Sequence, residues 1–189
     1  GKKPAVLGRQ QQEILGKAVD LDFLEDGFEG PALLLGGEHG AVDEAGEVFG
    51  EIFGLVNNAG LARPGHILDM EEAEVDLQLN TNIKGTVFCC QAAVPLLEGG
   101  DNPRILNISS ASAWHQDEMA HLSIYAASKA AVERFSRDLR GELQGRGIGV
   151  TVLRPGAAIT DFASAWEMER FRAALQAWQQ QQAGEKRKK

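Results

Sequence analysis

Gly54-Leu55-Val56-Asn57 is a short apolar run that breaks straight into Asn58-Ala59-Gly60, and its reading decides the fold. A run without polar alternation suits a strand covered on both faces, and the Asn/Gly-rich stretch after it suits a sharp turn. Similar runs recur on either side. Residues 104–109 (Arg-Ile-Leu-Asn-Ile-Ser) and 149–153 read as strands, the second stopped by Pro155-Gly156. Residues 31–35 are a compact apolar run, and 4–8 end a further short strand. Between the runs the apolar spacing becomes helical: 9–19, then 41–53, where Val42, Ala45, Phe49, Ile52 and Phe53 fall near a 3.6 period. Residues 71–97 form a long helical zone, with an interruption predicted at 80–85 and a close at Gly99-Gly100. Helices are also predicted over 125–144 and 163–182, the second ending in the fraying run Gln179-Gln180-Gln181-Gln182. Strands alternating with helices in this way predict an α/β fold, a doubly wound parallel sheet with helices on both faces. Residues 20–40 are acidic and Gly-rich and, the 31–35 run aside, show no clear period.

A chain of 189 residues suits one domain, here 1–182, followed by a basic tail over 183–189. Hydrophobic residues make up 43% and charged residues 24%, which excludes a disordered chain, a collagen-like repeat and a coiled coil. No run approaches 18 apolar residues, so no transmembrane helix is expected. A formal charge of −8 has the wrong sign for a nucleic-acid binder. The cluster Lys186-Arg187-Lys188-Lys189 reads as a solubilising tail. Cys89 and Cys90 are adjacent, so they point different ways and do not suit a disulfide, and no other Cys exists to build a metal site. They read as small apolar residues of a reduced, cytoplasmic protein. The start, Gly1-Lys2-Lys3-Pro4, has no apolar segment of the kind a signal peptide needs.

The strongest chemical constellation is Tyr125-Ala126-Ala127-Ser128-Lys129. Residues four apart share a helix face, so the phenol and the ammonium can approach one another. A cation beside a phenol favours the phenolate, as a Tyr acting as general acid or base requires. Taken alone, the pair reads better as a solvated contact on a helix, since Tyr-x-x-x-Lys arises by chance in many helices. Its neighbours change that weighting. Asn57-Asn58-Ala59-Gly60 follows one strand, and Asn82-Ile83-Lys84-Gly85 lies at the predicted helix interruption. Ile105-Leu106-Asn107-Ile108 leads into Ser109-Ser110, and Val150-Thr151-Val152-Leu153 leads into Arg154-Pro155-Gly156 and then Thr160.

In this order and spacing the set resembles the short-chain dehydrogenase/reductase family over about residues 49–160, and helix 163–182 continues the likeness. The resemblance implies an NAD(P)-dependent oxidoreductase that moves a hydride between nicotinamide and a secondary alcohol or carbonyl. Tyr125 would be the acid/base, and Lys129 would lower its pKa and hold the nicotinamide ribose. Ser110 would donate to the substrate oxygen, and Asn82 would hold a helix kink and the water that links Lys129 to solvent. Asn57, Ala59 and Gly60 resemble the turn that supports the sheet and lines the cofactor; Pro155, Gly156 and Thr160 resemble the segment that grips its nicotinamide end. Simpler roles stay open: Asn57 as a strand-end cap for backbone groups, Asn82 as a kink residue, Pro155-Gly156 as a plain turn, Thr160 as a helix N-cap. Relatives place the serine about 13 residues before the Tyr, which selects Ser112. The strand-end motif selects Ser110, preferred because the strand fixes direction while the loop absorbs two residues. The loop 113–123 carries Trp114, His115 and His121 and would border the substrate, although a loop His also reads as simply solvated.

The chain departs from the family pattern at both ends. Only 56 residues precede Asn57, and no Thr-Gly-x-x-x-Gly-x-Gly phosphate loop stands at the family's distance. The nearest imitation, Leu35-Gly36-Gly37-Glu38-His39-Gly40, leaves no room for the intervening strands. Nor does a last strand follow helix 163–182. A Rossmann-like sheet incomplete at both ends is expected, with exposed apolar faces that would weaken its stability. The turn Gly8-Arg9 places a guanidinium where NADP carries its 2′-phosphate, so NADP is expected over NAD. Relatives pair through the helices that match 71–97 and 125–144, which implies a homodimer or homotetramer acting on a small-molecule alcohol or carbonyl. The alternative is a non-catalytic or truncated product that acts through binding or heterodimerisation.

Overall fold

A computed structural model describes residues 32–35, 52–114, 121–156, 162 and 168–186. Four strands, β1 (Ala32–Leu35), β2 (Gly54–Asn57), β3 (Arg104–Ile108) and β4 (Gly149–Leu153), form one sheet in the order β1-β2-β3-β4. Every neighbouring pair is parallel. The apolar runs therefore mark the strands within a residue. The strand and helix expected over 4–8 and 9–19, the Gly-rich stretch 36–40 and most of helix 41–53 lie outside the described residues. Ile52 and Phe53 correct the predicted end of that helix, because both are already non-helical. The Ile52 N–H donates to the Leu96 carbonyl at 3.2 Å, and the Phe53 carbonyl accepts from Arg104 N–H at 3.0 Å. These partners draw the two residues into the start of β2.

The two-residue alternation of the strands sorts the sheet into faces. Leu55, Ile105 and Val150 point to one face, where they meet Cys89, Cys90, Ala93 and Leu97 of α2 (Thr86–Leu97) and Leu139 and Leu143 of α3 (Ser123–Leu143). Leu97 and Ile105 are wholly buried, so truncating either to Ala costs about 2–5 kcal/mol. Both cysteines are free and buried, and burial pushes their thiols up to about 11 for Cys89 and about 12 for Cys90. Among the described residues, both helices that pack on the sheet lie on this one face; Val56, Leu106 and Ile108 on the other face are half-buried.

α1 (Glu72–Leu79) begins where the Glu71 N–H finds the Glu74 carboxylate at 3.2 Å, the reciprocal half of a capping box. It reaches α2 through a widened π-helical turn, Asn80–Gly85, at the predicted interruption. α3 starts at Ser123, two residues before Tyr125, and runs to Leu143; Gly147, at φ 72°, lies just beyond it. α4 (Met168–Lys186) passes the end expected at Gln182, so the glutamine run and the first residues assigned to the tail are helical. The Arg170 guanidinium, in the first turn of α4, ties it to Glu74 of α1, with Nη2 3.0 Å from Oε2. Among the described residues no helix is long and apolar enough to cross a membrane.

Candidate active site

All four strands point their C-terminal ends the same way, and there the loops after β2, β3 and β4 converge. In a parallel sheet this edge is where ligand crevices form. α3 carries Tyr125 in its first turn and Lys129 one turn later. Lys129 is 3% exposed, and its ammonium donates to the Ile108 carbonyl at the end of β3, at 2.9 Å. The same nitrogen lies 5.9 Å from the centroid of the Tyr125 ring. Burial alone lowers the ammonium's pKa from 10.5 to about 8, and among the described residues no carboxylate pairs with it. The loop after β2 passes so close that a Cβ on Gly60 would stand 2.9 Å from this nitrogen and 3.6 Å from Asn82 Oδ1. Glycine is needed at position 60 for that approach.

Two buried amides, one turn apart across the α1/π junction, stitch this loop in place. Asn82 accepts from the Leu61 N–H and donates to the Leu61 carbonyl, both at 2.9 Å. It also donates to Ser128 Oγ at 2.9 Å, and Ser128 in turn donates to the Tyr125 carbonyl at 2.7 Å. Gln78 accepts from the Arg63 N–H at 3.1 Å. Asn82, inside the π-helical turn, thus links the loop to the first turn of α3.

Asn57 is turned elsewhere. It sits two residues past Leu55 on the helix-covered face, and the parallel register sets it beside Asn107. Its amide donates to Asn107 Oδ1 at 2.8 Å and to Cys90 Sγ at 3.3 Å; Asn107 donates to Ser136 Oγ at 2.8 Å, and Ser136 to the Val132 carbonyl at 2.7 Å. All three polar side chains are buried, so this is a bracing network between sheet and α3.

Ser110 caps a short turn, Ala111–Ala113, and its Oγ accepts from the Ser112 N–H at 3.2 Å. The Ser112 hydroxyl donates to the same oxygen at 2.6 Å. The two serine candidates therefore touch, with Ser112 buried and Ser110 the outer of the pair. Pro155 and Gly156 leave β4 on the surface, and the Pro155 carbonyl holds the Ala111 N–H at 2.9 Å. Ala59 is half-buried beside Gly60, and the Tyr125 ring tilts against Phe162 with centroids 5.6 Å apart. His121, at φ 67°, sets its ring edge-on to His66, centroids 5.4 Å apart, and Trp114 is exposed. Arg9, His115 and Thr160 lie outside the described residues.

Sequence reasoning missed Glu133. This carboxylate, 6% exposed, lies one turn beyond Lys129 on the same face of α3. It accepts from Ser109 Oγ at 2.9 Å, from the Trp114 indole, and from Arg154 Nε and Nη2 at 2.5 and 2.7 Å. With Arg154 as its strongest partner, the carboxyl is held down to about 2. The four-residue step from Tyr125 to Lys129 to Glu133 was the available signal.

Comparison with known proteins bears on this arrangement. Residues 39–170 match the family model described as short chain dehydrogenase. Sulfoacetaldehyde reductase 2 of Chromohalobacter salexigens is 41% identical over 123 residues, covering 64% of this chain and 48% of that protein. The crystal structure of a short chain dehydrogenase from Burkholderia cenocepacia in complex with NADP is 35% identical, with a TM-score of 0.62, covering 69% of this chain and 54% of the other. A blue fluorescent protein from a metagenomic library, in complex with NADPH, is 33% identical with a TM-score of 0.61, covering 66% and 49%. The chain thus spans about half the length of each of the three.

Proposed function

The chain belongs to the short chain dehydrogenase family, and from that premise we propose an oxidoreductase that moves a hydride between a nicotinamide cofactor and a secondary alcohol or carbonyl. The observation that carries this reading is the buried Lys129 ammonium beside the Tyr125 ring, held by the Ile108 carbonyl and crowded by Gly60. An ammonium has three protons, and among the described residues one is committed, to Ile108. The other two are free to meet ribose hydroxyls, and the missing side chain at Gly60 leaves the space through which those hydroxyls would reach them. On these grounds the residues at this end fit the cofactor. When bound, nicotinamide supplies or takes up the hydride.

The chain's own residues handle the proton and the orientation. Tyr125 exchanges a proton with the substrate oxygen, and the nearby ammonium stabilises negative charge on the phenol oxygen in a poorly solvated setting. Ser110 is the outer of the two touching serines, so its hydroxyl is the one placed to donate to the same substrate oxygen, which favours Ser110 over the buried Ser112. Asn82 fixes the first turn of α3 and the Gly60 loop as one unit. NADP is the preferred cofactor, supported by the NADP and NADPH bound to two of the similar structures; NAD is the alternative.

The test is a fluorescence titration of the purified protein with NADPH and then NADH, followed by reduction assays on the wild type and Tyr125→Phe. Micromolar binding, together with at least a ~10³-fold loss of turnover in the variant, is expected. A folded protein that binds neither cofactor would overturn the reading and leave a binding role for the fold.

A further inference from the structure

Glu133 touches none of the groups just assigned to the reaction, yet each of its partners leads to the Ser110 turn. Ser109 is the residue before Ser110, and its hydroxyl also lies 3.2 Å from the Lys129 carbonyl. Trp114 ends the turn that Ser110 caps, and the Arg154 guanidinium covers its ring at 5.5 Å. Arg154 precedes Pro155, whose carbonyl holds the Ala111 N–H on the far side of Ser110. A carboxylate has about four lone-pair directions, and here four N–H or O–H donors from three segments converge on it. Resting on the proposed function above, we propose that Glu133 is a positioning residue. It clamps the end of β3, the Ser110 turn and the end of β4 to the helix that carries Tyr125 and Lys129, and so sets the separation between Ser110 and Tyr125.

The arrangement works as a rigid ruler. Glu133 and Lys129 are one helical turn apart, so the clamp and the proton-handling residues cannot move independently. Ser110 is bracketed by Ser109, fastened to Glu133, and by Ala111, fastened to Pro155. Replacing the carboxylate with an amide turns one acceptor into an N–H donor that faces the Arg154 or Trp114 donors. The Ser110 side of the site then loosens, while the Gly60–Lys129 side keeps its own bonds. A misplacement near 1 Å at a reacting group costs on the order of 100-fold in turnover.

The test uses Glu133→Gln, Glu133→Asp, Arg154→Met and Tyr125→Phe in the full protein. Reduction of benzaldehyde, cyclohexanone and 2,3-butanedione by NADPH is followed, with kcat expressed per cofactor-binding molecule and the emission of Trp114 read in a Trp166→Phe/Trp178→Phe background. Glu133→Gln should lower kcat by about 10–100-fold, leave KM for NADPH within about twofold, and shift Trp114 emission. Glu133→Asp should recover part of the lost kcat. Arg154→Met, altered at the exposed end of the pair, should lower kcat in the same direction and serves if the buried variant does not fold. Unchanged kcat per cofactor-binding molecule in both Glu133→Gln and Arg154→Met, with Tyr125→Phe inert, overturns the clamp alone. Full activity in Tyr125→Phe overturns the underlying reading instead, and a wild type with no turnover overturns both.

Discussion

Replacing Lys129 with Met should separate stability from activity, with a size set by burial. The ammonium's pKa stands at about 8 in the fold against 10.5 when solvated, so the folded state holds its proton less tightly than the unfolded chain. At 1.36 kcal/mol per pKa unit, the charged form costs the fold about 3 kcal/mol at pH 7. The sign follows from linkage. The penalty is present in full below about pH 8 and fades as pH rises toward 10.5, so this residue makes the wild type gain stability over that window. Lys129→Met removes the charge and also the hydrogen bond to the Ile108 carbonyl, worth roughly 1–3 kcal/mol. Near pH 7 the variant should therefore match or exceed the wild type in stability. Between pH 7 and pH 10 the wild type should gain about 2–3 kcal/mol relative to the variant. Groups that do not face Lys129, such as the buried cysteines, cancel in the comparison, and a Tyr125→Phe background removes the phenol that does. Urea unfolding of both proteins at the two pH values measures it. A gap that stays constant within about 0.5 kcal/mol would refute the claim that burial strains this ammonium. By the proposed function the same variant has lost its turnover, so the fold carries a charge that only the chemistry needs.

Two further substitutions probe the frame around it. Asn57→Ala takes the 2.8 Å donor from the buried Asn107 Oδ1 and leaves the Cys90 thiol, 3.9 Å away, as its replacement. A loss of about 2–3 kcal/mol in urea unfolding is expected, and a loss under about 0.5 kcal/mol would mean the network braces nothing. Gly60→Ala puts a methyl group 2.9 Å from Lys129 Nζ, the end of a flexible chain that can swing aside at small cost. The melting temperature should stay within a few degrees while kcat falls roughly tenfold or more, and unchanged kcat would show that the ammonium's position is not critical.

Much of this frame could be read in advance because it depends on local periodicity. The strands after residue 53 and the break at 80–85 follow from runs and spacings within a few residues of one another. The resemblance pointed to Asn82 at the break, but its partner Leu61, 21 residues away, was hidden. Glu133 was invisible for the same reason. Its partners Ser109, Trp114 and Arg154 lie 19 to 24 residues off, and a Glu on a helix reads as a solvated charge until the fold surrounds it. The likeness to a known family named Asn82, Ser110, Tyr125 and Lys129. It could not say that Asn57 turns into the core, or that Ser110 and Ser112 touch.

The Asn57–Asn107 pair has a consequence for how the chain finds its fold. Short apolar strands can slide past one another at little cost, since one branched side chain packs much like the next. A slip of one residue would turn Asn57 out of the helix-covered face, and a slip of two toward the start of β3 would set its amide against the apolar Ile105 in place of Asn107. Either error costs the buried Asn107 its 2.8 Å partner. Only one alignment of β2 and β3 closes the chain of donors to Ser136, and in that alignment the Gly60 loop and the Ser110 turn emerge side by side. The amides thus act as a lock against misassembly, and a sheet that had slipped would have no site to offer.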